Sequence, residues 1–236
     1  MVGGMIAGQV VGPLLDLLLP AVCPACREQP GPQICEDCQL LLPRLPAACP
    51  RCCAPGTEIP CPNCRGHGLP HLASARAGFA YVGLMKRLVG DAKAGARAAT
   101  VQALAGLLPL PEEAVDAVVA VPPSPGRRPG PHLATACARH AARRLDVPLI
   151  TPLRCVRHAC EQHRLSRAER ARNVVGLFRC LPGVPPRLLL VDDILTSGAT
   201  ASSAAAELHR AGARCVHASF LCRTPQPGDA SAQPAG

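Results

Sequence analysis

The pattern of apolar and polar positions divides the chain into stretches of different character. The first 22 residues are almost wholly apolar and rich in glycine, broken by Pro13 and Asp16. Cysteine pairs then dominate up to Cys64. After Gly66-His67-Gly68, short apolar runs alternate with longer stretches of mixed polarity. Short apolar runs bounded by turn residues predict buried strands. ARAGFAYVG (75–83) predicts a strand and turn, and DAVVAV (116–121) a strand ended by Pro122-Pro123. VPLI (147–150), RLLLV (187–191) and RCVHASFLC (214–222) predict three more. Residues 96–108, stopped by Pro109, residues 132–145, and residues 199–211, ended by Gly212, predict helices. Strands alternating with helices imply α/β: a parallel sheet flanked by helices, since a parallel connection needs a long crossover. The predicted organisation is an apolar segment over 1–22, a cysteine module over 23–68, an α/β domain over 69–224 and a disordered tail over 225–236.

The cysteines refine the module. Cys23, Cys26, Cys35 and Cys38 follow C-x2-C-x8-C-x2-C, and Cys49, Cys52, Cys61 and Cys64 repeat that spacing 26 residues later. Tetrahedral Zn²⁺ takes four thiolates, and a CxxC turn delivers two of them. Three of the four turns begin Cys-Pro, and proline fixes one dihedral of the turn. The metal ligands are therefore these eight cysteines, holding two structural Zn²⁺; the alternative is four independent dithiols. Spacing leaves open whether each repeat closes its own site or the turns interleave, and Cys53 falls outside the pattern. Two such sites lower the formal charge from +9 to +5. Cysteine pairs behind a segment that lacks a basic start predict a cytoplasmic protein with no stable membrane insertion.

Charge and aromatics narrow the function. Between Arg127 and Arg172 there are eleven arginines and only three acids. Such a stretch is either a solvated face or a site for phosphate, diphosphate or nucleic acid. There is no Trp, and the aromatics are Tyr81, Phe79, Phe178 and Phe220. The core must be Leu, Val and Ala, and stacking on aromatic rings, the usual grip on a single strand, has little support.

LLLVDDILTSGAT (188–200) concentrates the chemistry. Ligands of open parallel sheets bind beyond the carboxyl ends of strands, which is where Asp192 and Asp193 fall. Thr196, Ser197, Gly198, Ala199 and Thr200 then turn into a helix N-terminus, whose N–H groups and dipole suit a phosphate. Carboxylates cannot bind that phosphate, but they can hold hydroxyls or a metal. A ribose 5-phosphate offers both ends.

This stretch resembles the signature of the type I phosphoribosyltransferases: an apolar run, two acids, two loose positions, then T-[ST]-G-[AGS]-T. With LLLPAVCPAC, FAYVG, Lys93, VPPSPGRR and the series Gln162, Leu165, Arg170, Asn173, Phe178, residues 14–223 resemble the ComF family, phosphoribosyltransferase-like proteins associated with competence and DNA uptake. The resemblance implies binding of 5-phosphoribosyl diphosphate with Mg²⁺ and transfer of phosphoribosyl to a nitrogen acceptor. Asp192 and Asp193 would be catalytic and 196–200 would hold the 5′-phosphate. Lys93, Arg127 and Arg128 would meet the diphosphate. Residues 153–178 form either a flap bringing Arg164, Arg167 and Arg170 to the phosphates or an exposed helix with ordinary ion pairs such as Glu161–Arg164. His158 and His163 are further acid–base candidates, or plain surface histidines. The alternative is a non-catalytic protein handling single-stranded DNA with the DNA-uptake machinery. The chain departs from the family at 129–133, where PGPHL stands for the usual RGFNQ and only Gly130 is kept.

Overall fold

The computed structural model describes residues 21–56, 61, 62, 64, 68–95, 98–125, 132–156, 176–226 and 229. In it the apolar runs become strands: β1 (Ser74–Ala80), β2 (Ala117–Ala120), β3 (Leu149–Ile150), β4 (Leu153–Cys155), β5 (Phe178–Cys180), β6 (Arg187–Leu195) and β7 (Cys215–Arg223). Five of them form one sheet in the order β1-β7-β6-β2-β3, and every pairing in it is parallel. A parallel sheet is covered on both faces, so its strands read as continuous apolar runs. Accordingly Leu188, Leu189, Leu190 and Val191 are all fully buried.

Five helices are described: α1 (Glu36–Leu40), α2 (Gly83–Lys93), α3 (Ala98–Ala105), α4 (Leu133–Leu145) and α5 (Ala199–Arg210). On one face Met85, Leu88, Leu104, Ala138 and Ala141 of α2–α4 pack with Val118, Leu189 and Val191. On the other, Ala204 and Leu208 of α5 and the antiparallel β4–β5 pair pack with Val119, Leu190 and Phe220. Phe79, Phe178 and Phe220 are all buried, and the rest of the core is mostly Leu, Val and Ala.

The cysteine module runs along the outer edge of β1. Ala80 N–H donates to the Pro43 carbonyl at 2.8 Å, Leu45 N–H to Gly78 at 3.1 Å, and Ala75 N–H to Pro50 at 2.7 Å. The first cysteine group joins the core on the α2–α4 face, the second the core on the α5 face. Arg87 fastens the first, donating to the Ala25 carbonyl at 2.8 Å.

Two elements depart from expectation. Helix α2 lies after the predicted strand and turn, over residues 84–93 for which the sequence predicts no element. Its buried Met85, Leu88, Val89 and Ala92 keep helical spacing, but Gly83, Lys86, Arg87, Gly90 and Asp91 dilute the signal. Strand β6 does not stop at Val191; it continues through both acids to Leu195, because β7 still pairs with it there. Among the described residues no helix is long and apolar enough to cross a membrane. Residues 1–20 lie outside the described set, as do Arg127, Arg128, His158, His163, Arg164, Arg167, Arg170 and most of the expected flap.

Candidate functional site

Strand β2 pairs with β6 only as far as Ala120↔Val191. Beyond that point, among the described residues, β6 is paired on one side alone, with Phe220, Cys222 and Arg223 of β7. Asp192 and Asp193 therefore stand at the lip where the sheet opens. The Asp193 N–H donates to Asp192 Oδ1 at 2.8 Å, so the first carboxylate folds back onto its own strand. Lys93, the last residue of α2, places Nζ 2.8 Å from Asp193 Oδ2. Thr200, in the first turn of α5, shares the same cleft with the acids and Lys93. The cleft measures about 360 Å³, within the range of small-ligand sites, about 300–1,000 Å³.

Burial, and then the neighbouring charge of Asp193, raises the Asp192 carboxyl from its ordinary 3.8 to about 8. The folded chain thus holds this proton to higher pH than the unfolded chain does. The acid costs stability progressively as pH rises from 3.8 towards 8. Asp192→Asn is expected to raise the thermal midpoint above pH 8 and to leave it unchanged below 3.8. Melts across that range in ligand-free buffer check this; equal shifts at both ends would contradict it.

The turn after β6 divides between two cavities. Gly198, with φ of 77°, is the residue before α5, and the Ala199 N–H donates to Ser197 Oγ at 3.4 Å. Thr200 faces the acidic cleft, whereas Thr196 and Ser197 line a smaller adjoining cavity with Cys52, Leu69 and Arg223. Leu69 seats directly on the turn: a Cβ added at Gly198 would lie 2.0 Å from Leu69 Cδ2. Arg223 is 3% exposed and forms an ion pair with Asp229, while the Gln226 side-chain amide donates to the Thr196 carbonyl at 3.4 Å. Gln226 and Asp229 belong to the stretch expected to be disordered. A buried guanidinium demands a counter-charge, and Asp229 supplies it.

Each cysteine repeat gathers its own four sulfurs: Cys23, Cys26, Cys35 and Cys38 in one group, Cys49, Cys52, Cys61 and Cys64 in the other, each within 4.8 Å. Cys26–Cys35, Cys49–Cys64 and Cys52–Cys61 lie 4.0, 3.7 and 3.5 Å apart. Zn–S bonds of about 2.3 Å place tetrahedral sulfurs roughly 3.8 Å apart, so both groups fit zinc. Backbone N–H groups of Cys35 and Cys64 point at Cys23 and Cys61 sulfurs, each at 3.3 Å. Against the upward push of desolvation, such backbone bonds hold Cys23 down to about 6, and with neighbouring thiols Cys61 to about 7. Cys38 and Cys64 are pushed up to about 12 and 11, first by desolvation. By themselves the sulfurs of each group so favour a mixture of thiol and thiolate, and a dication at the centre would favour four thiolates.

The sequence did not single out Ser124, His132 or Cys155, which line the acidic cleft. His132 precedes α4 and places Nδ1 3.0 Å from Thr135 Oγ1. Its position at the start of the predicted helix over 132–145 was the available signal.

No family model matches the chain. The DNA utilization protein YhgH of Salmonella typhi is 31% identical over 235 residues, covering 88% of this chain and 99% of that protein. The protein of the same name from Escherichia coli K12 is 28% identical over 229 residues with the same coverage. In the Salmonella typhimurium LT2 protein, a 70-residue stretch is 41% identical. By this identity across nearly the full length of the relative, the chain belongs to the family of the DNA utilization protein YhgH.

Proposed function

We propose that this chain serves in DNA utilization, as the name of its relatives indicates for them, and that its cleft binds 5-phosphoribosyl diphosphate with Mg²⁺. The observation that carries the ligand is the grouping of Lys93, Asp193, Asp192 and Thr200 at the open end of β6, directly before the glycine turn into α5. Asp192 and Asp193 would accept from the ribose hydroxyls. The N-terminus of α5 would receive the 5′-phosphate. Lys93 would turn from Asp193 to the diphosphate, exchanging one anionic partner for another.

Mg²⁺ takes oxygen donors, usually one or two carboxylates with substrate phosphates and water, and the acid pair fits that donor set. When bound, it would supply positive charge to the diphosphate. These are the binding requirements of phosphoribosyl transfer to a nitrogen acceptor. The relatives' names favour DNA handling over turnover, with the ribose-phosphate cleft as its ligand site.

Calorimetry with 5-phosphoribosyl diphosphate tests the cleft. Mg²⁺-dependent binding to the zinc-loaded protein is expected, weakened at least about tenfold by Asp192→Asn/Asp193→Asn, which removes charge-assisted hydrogen bonds. A folded wild type that does not bind overturns the ribose-phosphate reading. Titration with single-stranded DNA tests the DNA reading separately. Binding is expected at low salt and should fall steeply as salt rises; no affinity at low salt overturns it.

A further inference from the structure

The end of the sheet remote from the cleft gathers a thiol, an imidazole, a hydroxyl and a guanidinium. Arg187 and Asp192 are five residues apart on β6, roughly 17 Å by strand rise. Cys215 and His217 stand two residues apart on β7 and so share a face of the sheet. Across the ladders His217 pairs with Ser74 of β1, and Cys215 with Arg187 of β6. Cys215 Sγ lies 3.3 Å from His217 Nε2, while Nδ1 lies 2.7 Å from Ser74 Oγ.

Glu113 completes a relay, with a carboxylate oxygen 4.0 Å from Nδ1. Its carboxyl is held below the ordinary value, first by its own backbone N–H, then by His217, Arg76 and a hydrogen bond from Ser74, against desolvation. In the tautomer that carries its proton on Nδ1, His217 donates to Ser74 Oγ. That leaves the Nε2 lone pair facing the thiol.

The surrounding charges are paired but close. Arg187 binds Asp116 through Nε at 3.1 Å, and Arg76 binds Glu112 and Glu113 at 3.1 and 3.7 Å. Ser74 and His217 are buried, and Cys215 is partly exposed. Cys53, Cys137 and Cys222 are buried, and burial pushes each of their thiols up. Cys180 is partly exposed like Cys215, but it donates to the Leu181 carbonyl at 3.4 Å.

We propose that Cys215 is a redox-responsive thiol, deprotonated by His217, that exchanges with low-molecular-weight disulfides. The thiol proton passes to Nε2 and the sulfur attacks one sulfur of the disulfide. A new S–S bond to Cys215 forms, the original S–S bond breaks, and the other half leaves as thiolate and takes the proton from His217. Cys215 ends oxidised as a mixed disulfide and the leaving half is reduced. A partly exposed thiol within reach of an imidazole is a setting of reactive thiols, and Cys215 has it away from the two four-cysteine groups and the cleft.

The test is a time course of the zinc-loaded full chain with oxidised glutathione, quenched in acid and mapped peptide by peptide by mass spectrometry. Cys215 is expected to be modified at least about tenfold faster than Cys180, the equally part-exposed internal control. His217→Gln should bring it to within about threefold of Cys180. Glu113→Gln changes an exposed residue and keeps its size, at the cost of one pairing with Arg76, so it tests the relay even where the His217 variant fails to fold, and it should slow Cys215 severalfold. A wild-type Cys215 no faster than Cys180, or a wild-type rate in every folded variant, overturns the proposal.

Discussion

Stripping zinc from the folded chain is expected to unfold the cysteine module and to loosen the ligand turn with it. Structural zinc contributes an apparent binding energy of about 10–16 kcal/mol to small metal-dependent modules, more than the whole stability of many domains. Besides the cysteines, the described residues of the module contribute few large buried side chains, Ile34 and Leu42 among them, so little else would hold it. The two groups should differ in consequence. The first rests on α2 through Arg87, whereas the second contributes Cys52 to the cavity beneath Thr196 and Ser197 and leads into Leu69. Cys61→Ser is therefore expected to weaken 5-phosphoribosyl diphosphate binding more than Cys26→Ser does. Zinc content should be two per chain by atomic spectroscopy, and a chelator should abolish the high-temperature melt. A stripped chain with an unchanged melt would remove zinc from this account.

The second large effect is expected from Gly198→Ala. The backbone there has φ of 77°, and an L-residue in the left-handed region costs roughly 1–2 kcal/mol. The added methyl would meet Leu69 Cδ2 at 2.0 Å, and overpacking of this kind costs about 1–3 kcal/mol more. In a chain of this size each kcal/mol lowers the midpoint by about 2–4 °C, so the variant should melt several degrees early and lose ligand affinity. Leu69→Ala in the same chain should recover the contact part of the loss and leave the backbone part. A double-mutant cycle from denaturant melts reads that coupling. Strict additivity would mean that Leu69 does not rest on this turn.

Much of this was legible in the sequence for identifiable reasons. RLLLV and DAVVAV announce buried strands because both faces of the sheet are covered, and helices α4 and α5 fall where the predicted helices end at 145 and before Gly212. The acids and the glycine turn could be placed together because they follow one another in the chain. What failed depends on distant partners. Helix α2 is half polar, so the way it presents Lys93 to Asp193 stayed hidden. The extension of β6 through two carboxylates is imposed by β7, not by strand propensity. The pairing of cysteines could not be read from spacing. It is decided by short local reversals, with Cys23 N–H donating to Gln29 and Cys49 N–H to Ala54, both at 2.8 Å, which close each repeat on itself.

The module's path along β1 has one more consequence. The opposite border of the sheet, β3, is only two residues long, but β1 is seven. A seven-residue strand with an open side is a template on which other chains can assemble. Pro43, Leu45 and Pro50 occupy that side, and with two prolines among them the covering segment offers a poor template of its own. Metal starvation would then register as self-association through β1, and the thiolate groups would act as guards of solubility as well as fasteners of a fold.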